Sequence, residues 1–238
     1  MKNKFNSLLS SSDYKISRKL AAILFFLPIV LTFIMTLLIA LPNCRRLYFW
    51  LLEENNPVEL LTFLLFLIGG CYGVYSSLKI FKSVKKYVFG FYIFFSICLI
   101  ILAMEEVAWG QWFFFFETPE EWKKMNYQGE TTLHNIGALQ FYNDNLRLIF
   151  GISGLIGIFL RRFSSFRAIG VPTILIVWFI IITFQSVLDV IVDLSQINNK
   201  YGYIIEQASE FIEMLIAGSA FLYLWLNYRF LKITTTAS

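Results

Sequence analysis

Long apolar runs separated by short polar loops dominate this chain, and they predict helices that cross a membrane. About 20 apolar residues span the hydrocarbon core as a helix, and six runs approach or exceed that length. We place them near 20–41, 58–78, 87–108, 146–160, 169–192 and 203–228. The fourth run is the shortest, and we expect its helix to begin before residue 146. The pattern therefore predicts an all-α protein, a polytopic membrane bundle of six transmembrane helices.

The basic residues in the loops predict how this bundle is oriented. Short cytoplasmic loops carry an excess of Lys and Arg. If the six runs alternate in direction, 14 of the 20 basic residues lie on the side of the N-terminus. Both termini are therefore predicted to be cytoplasmic, and Asp13 is the only one of the 16 acidic residues on that side. The expected location is a bacterial cytoplasmic (inner) membrane, with residues 1–238 forming a single transmembrane domain.

The composition excludes several classes of protein. Hydrophobic residues make up 58% and charged residues 15% of the chain, which lipid can accommodate and a water-soluble surface cannot. The net charge of +4 is spread between apolar runs, so nucleic acid is not a predicted partner. The three cysteines form no CxxC pair, which argues against thiolate metal sites and a disulfide framework. The predicted partners are membrane lipid and a lipid-linked substrate, and the oligomeric state stays open.

One outer segment, residues 113–145, is long enough to have structure of its own. Aromatic residues from Trp109 to Phe116 favour the membrane interface. Thr118, Pro119 and Glu120 then have the pattern of a helix start, with Thr118 as the capping residue. We expect this loop to lie on the bilayer as an interfacial cover over the outer end of the bundle.

Acidic residues recur at helical spacing inside two of the apolar runs. Glu206, Glu210 and Glu213 have the spacing i, i+4, i+7 and share one face of the last helix. Asp189 and Asp193, preceded by Gln185, repeat the pattern on the fifth helix. The short turn between these helices makes them antiparallel neighbours, so the two acidic stripes are expected to face each other. Ionisable groups at this depth are costly and indicate a functional site.

A cluster of carboxylates needs either bound protons or a cation to compensate its charge. The third helix adds Glu105 and Glu106, and we expect no Lys or Arg within the membrane segments to neutralise the acids. An oxygen-rich site suits a divalent cation such as Mg²⁺, Mn²⁺ or Ca²⁺. We predict Asp189, Glu210 and Glu213 as its ligands. Zinc held by three histidines is excluded because His134 is the only histidine.

The candidate site combines these acids with residues of the outer loop. Glu105, Glu106 and His134 are the predicted catalytic residues. A histidine in a polar loop, such as His134, is often an ordinary surface residue. Asp193 and Glu206 are equally well explained as solvated side chains near the membrane interface. The predicted supporting residues are Trp109, Gln111, Glu130, Asn135, Asp193 and Glu206.

Three stretches of this region resemble a known pattern. Residues 105–111, 116–120 and 126–135 are similar to the EExxWGQ, FETPE and NxQxExxLHN pattern of a family of uncharacterised bacterial multi-pass membrane proteins. That resemblance implies a membrane protein and no particular activity. CAAX-protease-like membrane proteins also begin a site with paired glutamates, but they continue to an arginine where this chain has Gln111, and they use further histidines. Ceramidase-like membrane hydrolases need three histidines for zinc.

These observations leave three functional hypotheses. The first is a membrane-embedded hydrolase or transferase acting on a lipid or lipid-linked substrate at the outer leaflet, with carboxylates and His134 as acid and base. The second is a cation or proton transporter, although the acids stop in the outer half of the bundle. The third is a non-catalytic assembly subunit in which the polar groups hold helices together.

Overall fold

The helices of the computed structural model follow the apolar runs of the sequence. The structure describes residues 11–53, 55–124, 126, 131–132, 143–195 and 200–236. The helices are α1 (Arg18–Ala40), α2 (Arg45–Leu52), α3 (Pro57–Ile80), α4 (Lys86–Glu106), α5 (Gln111–Phe114), α6 (Glu120–Lys123), α7 (Asn143–Leu160), α8 (Ile176–Ser195) and α9 (Lys200–Thr236). The all-α prediction is confirmed for this part of the chain.

Five of the helices that the structure describes are long and apolar enough to cross a membrane. These five helices are α1, α3, α4, α8 and α9. The segment Asn145–Leu160 of α7 is apolar but shorter. The protein is therefore a helical membrane protein, as the hydropathy pattern predicts.

The helix ends differ from the predicted ones where local backbone geometry decides them. Helix α4 ends at Glu106 and not at residue 108, because Ala108 and Trp109 have left-handed backbone angles. Helix α8, which corresponds to the fifth apolar run, begins at Ile176 and not near residue 169. Residues 161–170 form turns, and Pro172 precedes a short 3₁₀ turn. The last helix is longer than predicted at both ends. Hydropathy thus locates the helices, whereas turns fix their ends.

Helix α9 forms the centre of the bundle. In its most apolar window 67% of the residues are buried against the protein, compared with 11% for α1. It packs against α3 on one side and α8 on another, while α4 packs mainly on α3 and α7 mainly on α8. The acidic stripe predicted on the last apolar run therefore lies on the helix with the most neighbours.

Small residues allow α3, α4 and α9 to approach closely. A Cβ atom built on Gly73 would collide with the Ser96 side chain of α4 and lie 2.8 Å from Leu224 of α9. With Gly69, which faces Phe221 of α9, it forms a G-x-x-x-G pair. Membrane helices associate through such small-residue faces because lipid supplies no hydrophobic force between them.

Adding one methyl group at Gly73 is expected to destabilise the bundle. Gly73→Ala should lower the free energy of unfolding by about 1–3 kcal/mol, because Ser96 and Leu224 must move. The matched control is Gly90→Ala in α4, where a Cβ meets nothing within 4 Å. Thermal unfolding in detergent should show a lower midpoint for Gly73→Ala and an unchanged or higher one for Gly90→Ala. Equal midpoints would contradict this account of the packing.

Candidate functional site: a carboxylate cluster around Glu106

The carboxylate of Glu106 is the centre of an acidic cluster built from three helices. It interacts electrostatically with Glu213 and Glu210 of α9, with Glu59 of α3 and with its neighbour Glu105. Three separate helices thus direct acids towards one end of the bundle, which we call the Glu106 end. Like charges at short range repel, so this arrangement persists only with compensation from protons or cations.

An arginine supplies part of this compensation, from a helix that is shorter than the five candidate spans. Arg147 lies in the first turns of α7, and its Nη1 is 2.6 Å from Oε1 of Glu213. Both side chains are largely withdrawn from solvent, with exposed fractions of 13% for Arg147 and 28% for Glu213. The ion pair joins α7 to the central helix α9.

The two adjacent glutamates of α4 have different surroundings. Glu105 is only 8% exposed, and its Oε1 accepts a hydrogen bond of 2.6 Å from the indole Nε1–H of Trp109. This contact depends on an unusual turn, because Ala108, Trp109 and Gly110 have φ angles of 45°, 55° and 90°. Left-handed backbone at non-glycine residues is rare and concentrates at functional sites. The turn ends α4 and brings Trp109 back onto Glu105.

Gln111 is the residue that organises the described part of the outer loop. Its Oε1 accepts a hydrogen bond of 2.9 Å from the backbone N–H of Thr131, and its Nε2 donates to Oγ1 of Thr118 at 3.1 Å. The Thr118 and Thr131 hydroxyls lie 3.2 Å apart. Asn126 donates to the backbone carbonyl and the hydroxyl of Thr132. Residues from all three blocks of the sequence pattern therefore bond to one another.

Thr118 has a different role from the predicted one. No side chain caps α6, whose preceding residue is Pro119, and Thr118 is buried with its hydroxyl directed to Gln111. The sequence reasoning missed Thr118, Thr131 and Asn126 as site residues. Their type and spacing fit an ordinary polar loop, so only the contacts reveal them.

Asp189 belongs to the interface between α8 and α9. It is 3% exposed, and its Oδ1 accepts a hydrogen bond of 3.2 Å from Nε2 of Gln185. The same amide group donates to the backbone carbonyl of Ile205 in α9. Asp193 and Glu206 lie further out along the two helices and are exposed, as expected of acids near the interface.

Glu59 is a cluster member that the sequence reasoning did not select. It lies in the first turn of α3, where its carboxylate accepts a hydrogen bond from the backbone N–H of Asn55. An acid in a first helical turn is common, because it compensates the partial positive charge of the helix N-terminus. Its position beside Glu106 depends on how α3 packs on α4, which the sequence pattern does not reveal.

The structure describes the three predicted metal ligands but not all of the predicted loop residues. Among the described residues, no group of three or more His, Cys, Asp and Glu side chains is arranged to hold a metal ion. Glu213, one of the three predicted ligands, is paired with Arg147. His134, Glu130 and Asn135 lie outside the described residues. A divalent cation and the roles of these loop residues stay predictions.

Together, fold and site define a polytopic helical membrane protein with several carboxylates gathered at one end of its bundle. No family model, curated protein or solved structure matches the chain. The resemblance to the bacterial membrane family therefore stays a prediction, and the function has to be argued from the geometry alone.

Proposed function

We propose that this protein is a membrane-embedded enzyme, a hydrolase or transferase, that acts on a lipid or lipid-linked substrate at the Glu106 end of the bundle. The observation that carries the proposal is the convergence of Glu59, Glu105, Glu210 and Glu213 on Glu106. Grouping so many acids within a membrane bundle is costly. Carboxyl groups held close together in fixed positions are suited to general acid–base catalysis.

The surroundings of each acid support a division of roles. Glu105 is held by Trp109 and Glu213 by Arg147, so these two carboxylates act as positioning groups. Glu106, at the centre of the cluster, is the proposed proton acceptor from water or from a substrate hydroxyl. His134 is the proposed partner that returns the proton to the leaving group.

The test of this function is turnover by the purified protein. The protein is reconstituted in vesicles made from a total lipid extract of a bacterial membrane, and the lipids are followed by mass spectrometry over time. We expect at least one lipid species to be consumed and a product to appear, and His134→Ala should stop this without affecting folding. No change in any lipid would contradict the proposal.

A second candidate, a non-catalytic assembly subunit, is favoured by one observation. The Arg147–Glu213 pair connects two helices in the way that structural polar contacts do. In that case the purified protein has no turnover, and loss of any cluster acid weakens the bundle. These two outcomes distinguish the subunit from the enzyme.

The proposal includes six spans with both termini in the cytoplasm. Helix α7 has 18 residues, which at 1.5 Å per residue gives about 27 Å, close to the hydrocarbon thickness of about 30 Å. If α7 spans, the number of crossings is even and the termini share one side. If it does not, they lie on opposite sides.

This parity gives a direct prediction for topology. A phosphatase that is active only outside the cell should be inactive when fused after Ser238, and a fluorescent protein that folds only inside should be bright at either terminus. The internal control is the same phosphatase inserted in the Glu106-end loop after Glu117, where it should be active. An active phosphatase after Ser238 would contradict the six-span topology.

A further inference from the structure

An apolar groove of about 320 Å³ lies between α4 and α7, away from the carboxylate cluster. Phenylalanine is its main lining residue. The residues that line it include Phe91, Phe95, Phe150, Gly154, Phe179 and Tyr223. Phe91 and Phe95 precede Glu106 by 15 and 11 residues, which corresponds to about 16–22 Å along α4. On α4 the groove therefore lies in the half of the helix opposite Glu106, whereas on α7 it extends to Phe150, three residues after Arg147.

The groove is held open by the way α7 packs. A Cβ on Gly154 would collide with the ring of Phe179, and one on Gly157 would lie 2.6 Å from Val171, so α7 lies tightly against α8 and the segment that precedes it. The groove lies between this tightly packed part of α7 and α4. Within the lining, the hydroxyl of Tyr223 donates to the backbone carbonyl of Ile169 at 2.6 Å.

The mouth of the groove opens on the apolar surface of the bundle. Three of its lining residues keep large exposed fractions: 38% for Phe91, 52% for Ile156 and 43% for Phe166. All are apolar and lie on or next to helices of the membrane bundle. An apolar cavity of this kind does not bind water, whereas an acyl chain of the surrounding bilayer matches it chemically.

A basic rim lies at the outer margin of this half of the bundle. Lys85 precedes α4 and Lys86 begins it, and Arg162 and Arg167 lie in the turns that follow α7; all four are exposed. The hydroxyl of Tyr87 donates to the backbone carbonyl of Ser165 at 3.2 Å, which joins the start of α4 to those turns. Arg162 and Arg167 lie within two residues of the groove-lining Leu160 and Phe166.

We propose that this groove binds one acyl chain of an anionic phospholipid, whose phosphate lies against the basic rim. Basic pockets between membrane helices bind anionic headgroups through the local charge, and each Lys or Arg near the surface strengthens the attraction. The apolar lining supplies the chain site and the four cations supply the selectivity. This site is independent of the proposed catalytic cluster and does not rest on it.

The test uses photolabelling in nanodiscs. Phosphatidylglycerol with a diazirine on one acyl chain is compared with phosphatidylcholine that carries the same chain. We expect phosphatidylglycerol to label the segments 91–95 and 150–157 more strongly. Ser153→Trp, which fills the groove, should reduce this labelling to background. The matched control Ile152→Trp changes the neighbouring residue, which is exposed but does not line the groove, and should leave labelling unchanged.

The charge component is tested separately at the rim. Arg162→Gln should lower the preference for phosphatidylglycerol by about fivefold. This is the factor in binding that one basic residue near an anionic membrane surface contributes. Arg46→Gln, an exposed arginine at the Glu106 end, is the control and should have no effect. Equal labelling by the two lipids, or labelling that survives Ser153→Trp, would each overturn the proposal.

Discussion

Glu106→Gln is expected to lower lipid turnover by a factor of about 10² to 10⁴, the usual contribution of a general acid or base. The amide keeps the size of the side chain but cannot accept the proton. Because Glu106 is repelled by four other carboxylates, removing its charge should leave the thermal unfolding midpoint unchanged or raise it. The measurement is turnover in lipid vesicles beside unfolding in detergent, on the same protein preparation.

The control for this prediction is Glu117→Gln, the same change at a loop carboxylate whose side chain is 92% exposed. It should affect neither activity nor stability. If Glu106→Gln instead lowers the unfolding midpoint while turnover persists, the cluster holds helices together and the catalytic role is wrong.

Arg147→Met is expected to be the most destabilising single change at the site. It should lower the free energy of unfolding by about 3 kcal/mol, because removing one partner of a buried pair leaves the other charge uncompensated. Breaking a buried ion pair usually costs about 3–5 kcal/mol of unfolding free energy. We expect the lower value because the side chain of Glu213 is 28% exposed. Unfolding in detergent at constant pH measures the effect.

A double-mutant cycle separates the ion pair from simple packing. Adding Glu213→Gln to Arg147→Met should restore most of the lost stability, because no uncompensated charge then remains. Arg46→Met, at an exposed arginine, should change little. Additive effects of Arg147→Met and Glu213→Gln would mean that the 2.6 Å contact contributes nothing specific.

The sequence predicts the helices well and the site only in part. Apolar runs of sufficient length locate the long helices, since lipid allows few alternatives to a helix. The end of α4 is different: the left-handed turn at Ala108, Trp109 and Gly110 brings Trp109 onto Glu105, and no hydropathy pattern encodes such a turn.

The residues of the site could likewise be predicted from the sequence only in part. Glu210 and Glu213 share a helical face, which spacing alone predicts, and they do meet Glu106. Glu59 joins them only because α3 packs on α4. Arg147 lies at the start of the fourth apolar run, and the spacing of residues gives no sign that it pairs with Glu213. Which residues come together is decided by helix packing, and one sequence carries little information about it.

The central position of α9 has a consequence for the order in which the protein is made. The ribosome completes α9 after α1 to α8, yet α9 is the helix on which both α3 and α8 pack. Until it inserts, α3 and α4 can pair, but Glu59, Glu106 and Arg147 have no Glu213 to complete their cluster. Before α9 inserts, the polar side chains of α3, α4 and α7 therefore lack the partners that they have in the assembled bundle.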